Sequence, residues 1–227
     1  MLLDSKLFSF VADTLQNKSP NTLRRMQLAI SEGVPTKKGE IMRLGKYDWR
    51  VLDIQNGKML ILCEKVIGKR AYHSKYRDIR WDGDITWAKC DLRTYLNGAF
   101  YDSLGQDKAR IAKTRITTNN NPWYGTKGGK TTSDRIFLLS IEEVVYYFGD
   151  SGQLKSQPED VNYISDQYNS ARIASDKSGT ASWWWLRSPG YYGNVAAGVD
   201  TGGGLSLCGN IVIYDGVGVR PALWLNL

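Results

Sequence analysis

Nine of the chain's 23 glycines fall between Gly190 and Gly218. The stretch opens on Trp183-Trp184-Trp185-Leu186-Arg187-Ser188-Pro189 and runs out into the apolar string from Val219 to Leu225. Each glycine costs a helix interior about 1 kcal/mol relative to alanine, so a segment this rich in glycine is not helical. Glycine instead serves tight turns, bulges and close backbone approach in β structure. The C-terminal part is therefore expected to be strands and turns held between two apolar frames. Three successive tryptophans cannot face one way on a strand, so at least one ring is expected in the core. Arg187 and Arg220 are expected to be buried or half-buried, their guanidinium groups bracing loops through backbone carbonyls.

Upstream the patterning changes twice. Residues 4–32 carry helical periodicity, with Leu7, Phe10, Val11 and Leu15 on one face and Leu23, Met26, Leu28 and Ile30 on a second. Asn17 to Pro20 separates them and Gly33-Val34-Pro35 ends the second. This predicts an N-terminal helical segment over 1–37, packed on its own domain or on a second copy of the chain, and a main domain over 38–227. Within the latter, Tyr47–Ile54 and Lys58–Cys63 flank Asn56-Gly57, a type I′ hairpin signal. Asp91 reads as the N-cap of a helix bearing Leu92, Tyr95, Leu96 and Phe100, followed by a short helix near Asp107 to Lys113. Arg115 to Thr118 reads as a strand, Asn119 to Thr132 as a polar loop and Arg135 to Leu139 as another strand. Ser140 and Glu143 fit a capping box opening a helix that Gly149 stops. Residues 150–182 read as a long surface excursion with a short helix near Tyr163 to Tyr168. Strands and helices are segregated, so the fold class is α+β.

Composition removes several functions. Lysine and arginine number 30 against 23 acids, but they are scattered with no block of five, so no nucleic-acid partner is expected. No apolar run spans a membrane. The N-terminus lacks a basic leader and carries Asp4 and Asp13, so no secretory signal is expected. The default location is the cytoplasm, unless the protein is displayed on a phage or cell surface by another route. A single histidine, His73, rules out a site needing two imidazoles, and Cys63, Cys90 and Cys208 are too widely spaced for a disulfide framework or metal knuckle. No cofactor or metal is expected. Gly202-Gly203-Gly204 leads into the strand-like Leu205-Ser206-Leu207 and not into a helix, which argues against a phosphate cradle. Asp78, Asp82 and Asp84 lack the downstream glutamate of an EF-hand and read as a solvated loop. Cys208 is the one candidate nucleophile, yet its neighbours Leu207, Gly209 and Asn210 supply no base or cation to activate it.

Four strings carry a family likeness: TWAKCDLRTYLNGAFYDSL (86–104), DRIFLLSIEEVVYYFG (134–149), WWLRSPG (184–190) and GVRPALWLNL (218–227). Over roughly residues 38–227 the chain resembles a bacterial domain family of unassigned function from gut Firmicutes and their phages. That family looks like part of the C-type-lectin-fold superfamily, near the formylglycine-generating-enzyme-like domains. Some members are variable proteins of diversity-generating retroelements, in which adenines of a C-terminal coding segment are randomised. Randomised asparagine codons never yield Lys, Glu, Gln, Met or Trp. Those five types number 41 of the 227 residues, so the 29 positions from Tyr191 to Val219 should hold about five of them; they hold none.

The resemblance implies a framework of Ala196, Ala197, Val199, Gly203, Gly209, Val212, Asp215, Gly218 and Val219. It implies variable, ligand-facing positions at Tyr191, Tyr192, Asn194, Val195, Gly198, Asp200, Thr201, Gly204, Ser206, Leu207, Cys208, Asn210, Ile211, Ile213 and Tyr214. On that basis Gly203 and Gly209 set turns, whereas Gly198 and Gly204 are outcomes of randomisation with no backbone role. The calcium-lectin signatures are absent, as are the cysteine pair of formylglycine-generating enzymes and the histidine set of sulfoxide synthases. The expected function is non-enzymatic binding of a protein or cell-surface glycan. The alternatives are a formylglycine-type enzyme using Cys208, and a structural domain of a phage or cell-surface assembly that oligomerises through residues 4–32.

Overall fold

A computed structural model describes residues 35, 37–75, 84–157 and 161–227. The helical segment expected over 4–32, together with Asp78 and Asp82, lies outside the described residues. Strands β1 (Ile41–Leu44), β2 (Tyr47–Gln55) and β3 (Lys58–Cys63) form an antiparallel meander. Asn56 and Gly57 both take positive φ, 50° and 70°, as the type I′ turn between β2 and β3 demands. The C-terminal strand β13 (Ala222–Asn226) pairs with β3, Ala222 opposite Leu62, and on its other side with β6 (Ile136–Phe137). The resulting sheet has five strands in the order β1-β2-β3-β13-β6, which puts the end of the chain near its middle.

Met59 to Cys63 are all buried, and since side chains alternate along a strand, both faces of this sheet are covered. A bulge at Leu52 switches which residues of β2 face which side. Val51 lies opposite Ile61 and Asp53 opposite Leu60, so the alternation reverses between them. Tyr47 therefore meets Phe100 on one face, with ring centroids 5.5 Å apart, and Asp53 bonds Tyr147 on the other. Phe100 ends a π turn (Leu96–Phe100) that continues α1 (Asp91–Tyr95), and Tyr147 belongs to α2 (Ile141–Phe148). The capping box of α2 is present as expected from Ser140 and Glu143. The cap of α1 is Cys90, not Asp91: the Cys90 sulfur accepts from Arg93 N at 3.4 Å, while the Asp91 carboxylate turns outward to Ser74.

The helix expected near Asp107 is a 3-10 turn, Gly105–Arg110. Strands β4 (Thr114–Ile116) and β5 (Thr132–Asp134) pair around the polar loop. Tyr163 to Tyr168 is not a helix. Tyr163–Ile164 is strand β7, drawn into pairing with Ser206 and Leu205, and the helix starts later as α3 (Asn169–Arg172). Short strands β8 (Ala174–Ser175) and β9 (Ala181–Ser182) follow. The glycine-rich part is β-structured as expected. Strands β10 (Trp184–Pro189), β11 (Val195–Val199), β12 (Leu205–Ile211) and β7 make a second, four-stranded sheet. The molecule is α+β with sheet predominating.

Candidate functional site

The site is built on this second sheet. Trp184 and Trp185 are fully buried at the start of β10, and their indole N–H groups donate to Arg172 O (3.1 Å) and Arg70 O (2.9 Å). Arg187 is buried where β10 bends away to bond Leu139. Its guanidinium grips both Glu143 oxygens and donates to Leu138 O (2.7 Å) and Thr117 O (3.3 Å). Arg220, equally buried, donates to Cys63 O (2.9 Å) and Glu64 O (3.3 Å). Burial lowers the Arg220 pKa to about 10, so the group stays charged at neutral pH. Both arginines brace loops as expected.

Above this frame the segment 191–214 sorts by burial. Of the implied framework, Ala196, Ala197, Val199, Gly203, Val212, Gly218 and Val219 are buried, and Asp215 is exposed. Among the described residues ten large apolar side chains are exposed. Five of them are Tyr191 (46%), Tyr192 (55%), Ile211 (38%), Ile213 (38%) and Tyr214 (51%). Thr201 is also exposed, while Asn194, Val195, Asp200, Cys208 and Asn210 are half-buried. Four positions do not face solvent. Gly198, Gly204, Ser206 and Leu207 are buried, Leu207 because its side chain enters the core and Ser206 because its hydroxyl accepts from Gly209 N at 3.0 Å.

The glycine assignments divide the same way. Gly203 (φ 83°) and Gly209 (φ 76°) hold left-handed turns as expected, Gly209 at a bulge where a Cβ would lie 2.2 Å from Ala196 O. Gly198 and Gly204 do not take a positive φ, so neither is required by backbone conformation, but both are buried and closely approached. A Cβ on Gly198 would lie 3.0 Å from Trp184 O, and one on Gly204 would lie 2.7 Å from the Asp200 carboxylate.

The exposed residues do not form one site. Asp200 and Thr201 sit at the β11–β12 turn, at the opposite end of these strands from Tyr191 and Tyr192. At the tyrosine end, Tyr191 packs edge-on against Tyr192 (4.2 Å between centroids) and against Tyr124 (4.5 Å), and Trp123 continues the row at 6.5 Å. Tyr124 and Trp123 come from the polar loop between β4 and β5, a contribution the residue patterns missed. The tyrosine end is anchored there by Asn121, which is buried. Its amide donates to Pro189 O (2.8 Å) and Leu207 O (2.9 Å), and its oxygen accepts from Trp123 N and Tyr124 N. Thr126 donates to Tyr191 O and Tyr124 to Asn162 Oδ1, both at 2.7 Å. The run Asn-Asn-Asn-Pro-Trp-Tyr in an otherwise polar loop was the signal available. Burial raises the Tyr124 phenol above its ordinary value, and a hydrogen bond with Tyr191 does the same for Tyr192.

Cys208 lies half-buried at the bulge, its sulfur 3.4 Å from Ser206 Oγ. The imidazole of His73 is directed elsewhere: Nδ1 lies 3.3 Å from Asp91 Oδ2, within ion-pair distance and outside hydrogen-bond geometry. Burial pushes the Cys63 and Cys90 thiols up to about 12, which keeps both protonated. Among the described residues no group of three or more His, Cys, Asp or Glu is placed to hold a metal ion, and no helix is long and apolar enough to cross a membrane.

Fold and surface together define an α+β domain with an aromatic edge on a hydrogen-bonded frame. The chain belongs to a family described as a domain of unknown function (DUF6273), whose model matches residues 56–227. No curated protein and no solved structure matches it.

Proposed function

We propose that the chain is a non-enzymatic binding module of the C-type-lectin type, with the exposed tyrosines and isoleucines of residues 191–214 as its ligand face. The observation that carries this is the concentration of solvent-facing tyrosine and isoleucine in that one segment, above buried framework residues. Tyrosine gives large contact area with few rotatable bonds, and exposed apolar patches on a folded domain mark recognition surfaces. The ligand class is a protein or a cell-surface glycan.

Diversification by a retroelement is supported by the missing Lys, Glu, Gln, Met and Trp in 191–219. The variable set narrows to Tyr191, Tyr192, Asn194, Val195, Asp200, Thr201, Cys208, Asn210, Ile211, Ile213 and Tyr214, because the four buried positions would not accept arbitrary side chains. The DNA beside the gene tests this part. A near-copy of the codons for 185–227, differing only at adenines and adjacent to a reverse-transcriptase gene, is expected; a neighbourhood without one removes the diversification claim. Binding is tested on arrays of glycans and bacterial surface proteins. The wild type should bind at least one member and the Y191S/Y192S/Y214S variant should not, with its melting transition kept. Equal binding by both proteins overturns the assignment of the face.

A further inference from the structure

The opposite end of the β11–β12 hairpin holds a second feature, which the tyrosine edge does not use. A groove of about 340 Å3 runs between the turn and the start of α3, lined by Tyr163, Ser165, Asn169, Asp200, Gly202 and Gly204. Asp200 Oδ1 accepts from Gly202 N and Gly204 N, both at 2.8 Å, which fixes the carboxylate on its own turn. Oδ2 receives no hydrogen bond, and no Lys or Arg pairs with Asp200 among the described residues.

We propose that this groove takes a cationic side chain, the guanidinium or ammonium group of an arginine or lysine on a partner protein. A carboxylate with one oxygen preorganised and the other unpaired is an acceptor for a charged N–H donor. Tyr163 in the wall carries an aromatic ring, whose face attracts a cation more strongly than a neutral group. Arg172 does not neutralise the site: it is fully buried, 3.0 Å from Asp166 Oδ1, and its one hydrogen bond to a groove residue goes to Asn169 Oδ1. The surroundings also suit a basic partner. The chain carries a formal charge of +7, yet residues 191–219 contain Asp200 and Asp215 and no lysine or arginine. A basic partner therefore meets no like charge from this segment.

The glycines of the turn keep the groove in shape. Gly203 has φ 83° and a Cβ there would lie 1.9 Å from Asn169 O, so only glycine lets the turn dock on α3. A Cβ at Gly204 would displace Asp200 Oδ2, the oxygen left for the partner.

The test is an NMR titration of the full chain with acetyl-arginine-methylamide and with its neutral isostere, acetyl-citrulline-methylamide. The arginine probe should shift the amide signals of Gly202, Gly204 and Tyr163 saturably, and raising salt from about 0.05 to 0.5 M should weaken the response. Asp200→Asn keeps an oxygen for the turn but removes the charge, and should weaken arginine binding about tenfold. Tyr163→Leu keeps the charge and should weaken it several-fold. Any of three results overturns the proposal: equal shifts with citrulline, equal binding by a folded Asp200→Asn variant, or no shift at about 100 mM arginine probe, far above a millimolar Kd. If Asp200→Asn fails to fold, citrulline and Tyr163→Leu decide. The Y191S/Y192S/Y214S variant should bind the arginine probe like the wild type, so loss of the tyrosine edge and loss of the groove are separable.

Discussion

Asn121 shows how much one side chain carries in this domain. It is 1% exposed and ties the loop after β4 to the carbonyls of Pro189 and Leu207, directly under Tyr191. Asn121→Ala strands two buried carbonyls, each worth about 1–3 kcal/mol, so urea unfolding should show a loss of about 2–4 kcal/mol. Asn121→Asp should be worse, because it sets a carboxylate against those same carbonyls. Arg187 behaves similarly: it spans Glu143 and two backbone oxygens from an almost fully buried position. The chain order Trp-Trp-Trp-Leu-Arg announces a buried arginine, since the neighbours are core residues. Nothing in the spelling of Asn121 distinguishes it from Asn119 or Asn120, because its role depends on carbonyls 68 and 86 positions away.

At the level of elements, legibility follows the range of the interactions. The β2–β3 turn and the α2 cap involve residues within four positions of each other, and both were readable. Gly57 has φ 70° with nothing within 4 Å of a Cβ, so Gly57→Ala should cost about 1–2 kcal/mol of pure backbone strain, read by thermal unfolding. Ser140→Ala should cost about 1 kcal/mol by removing the acceptor for Glu143 N. The start of α1 departs from the residue pattern because cysteine is an uncommon cap and the better capping residue, Asp91, accepts from Ser74 N and Oγ instead. The segment 163–168 is not the helix its pattern suggests, because β7 exists only by pairing with β12. A two-residue strand has no periodicity of its own.

For the whole molecule, closure by β13 is the dominant fact. Deleting residues 221–227 removes a strand flanked on both sides, and near-UV circular dichroism should then show loss of fixed tertiary packing. Acid should weaken the molecule at the buried pair Asp166–Arg172. Burial pushes the Asp166 carboxyl up, but hydrogen bonds from Arg172 and the Tyr168 amide outweigh it and hold the group below its ordinary 3.8. A depressed native pKa gives stability that is complete above the unfolded value and lost as pH falls through the folded one. The melting temperature should therefore drop below about pH 4, and Asp166→Asn should flatten that limb while costing about 3–5 kcal/mol at neutral pH, since Arg172 stays charged and buried. By itself the sequence determined the α+β class, the hairpin, the α2 cap, the β character of the glycine-rich part and the two bracing arginines, because these follow from local backbone preferences and from apolar neighbours. Only the tertiary structure decided that β13 lies inside the first sheet, that Tyr124 joins Tyr191, that Asp200 opens a separate groove, and that Gly198, Gly204, Ser206 and Leu207 face inward. Burial is set by which distant strands pair, and glycine-rich alternation looks the same on either face until they do.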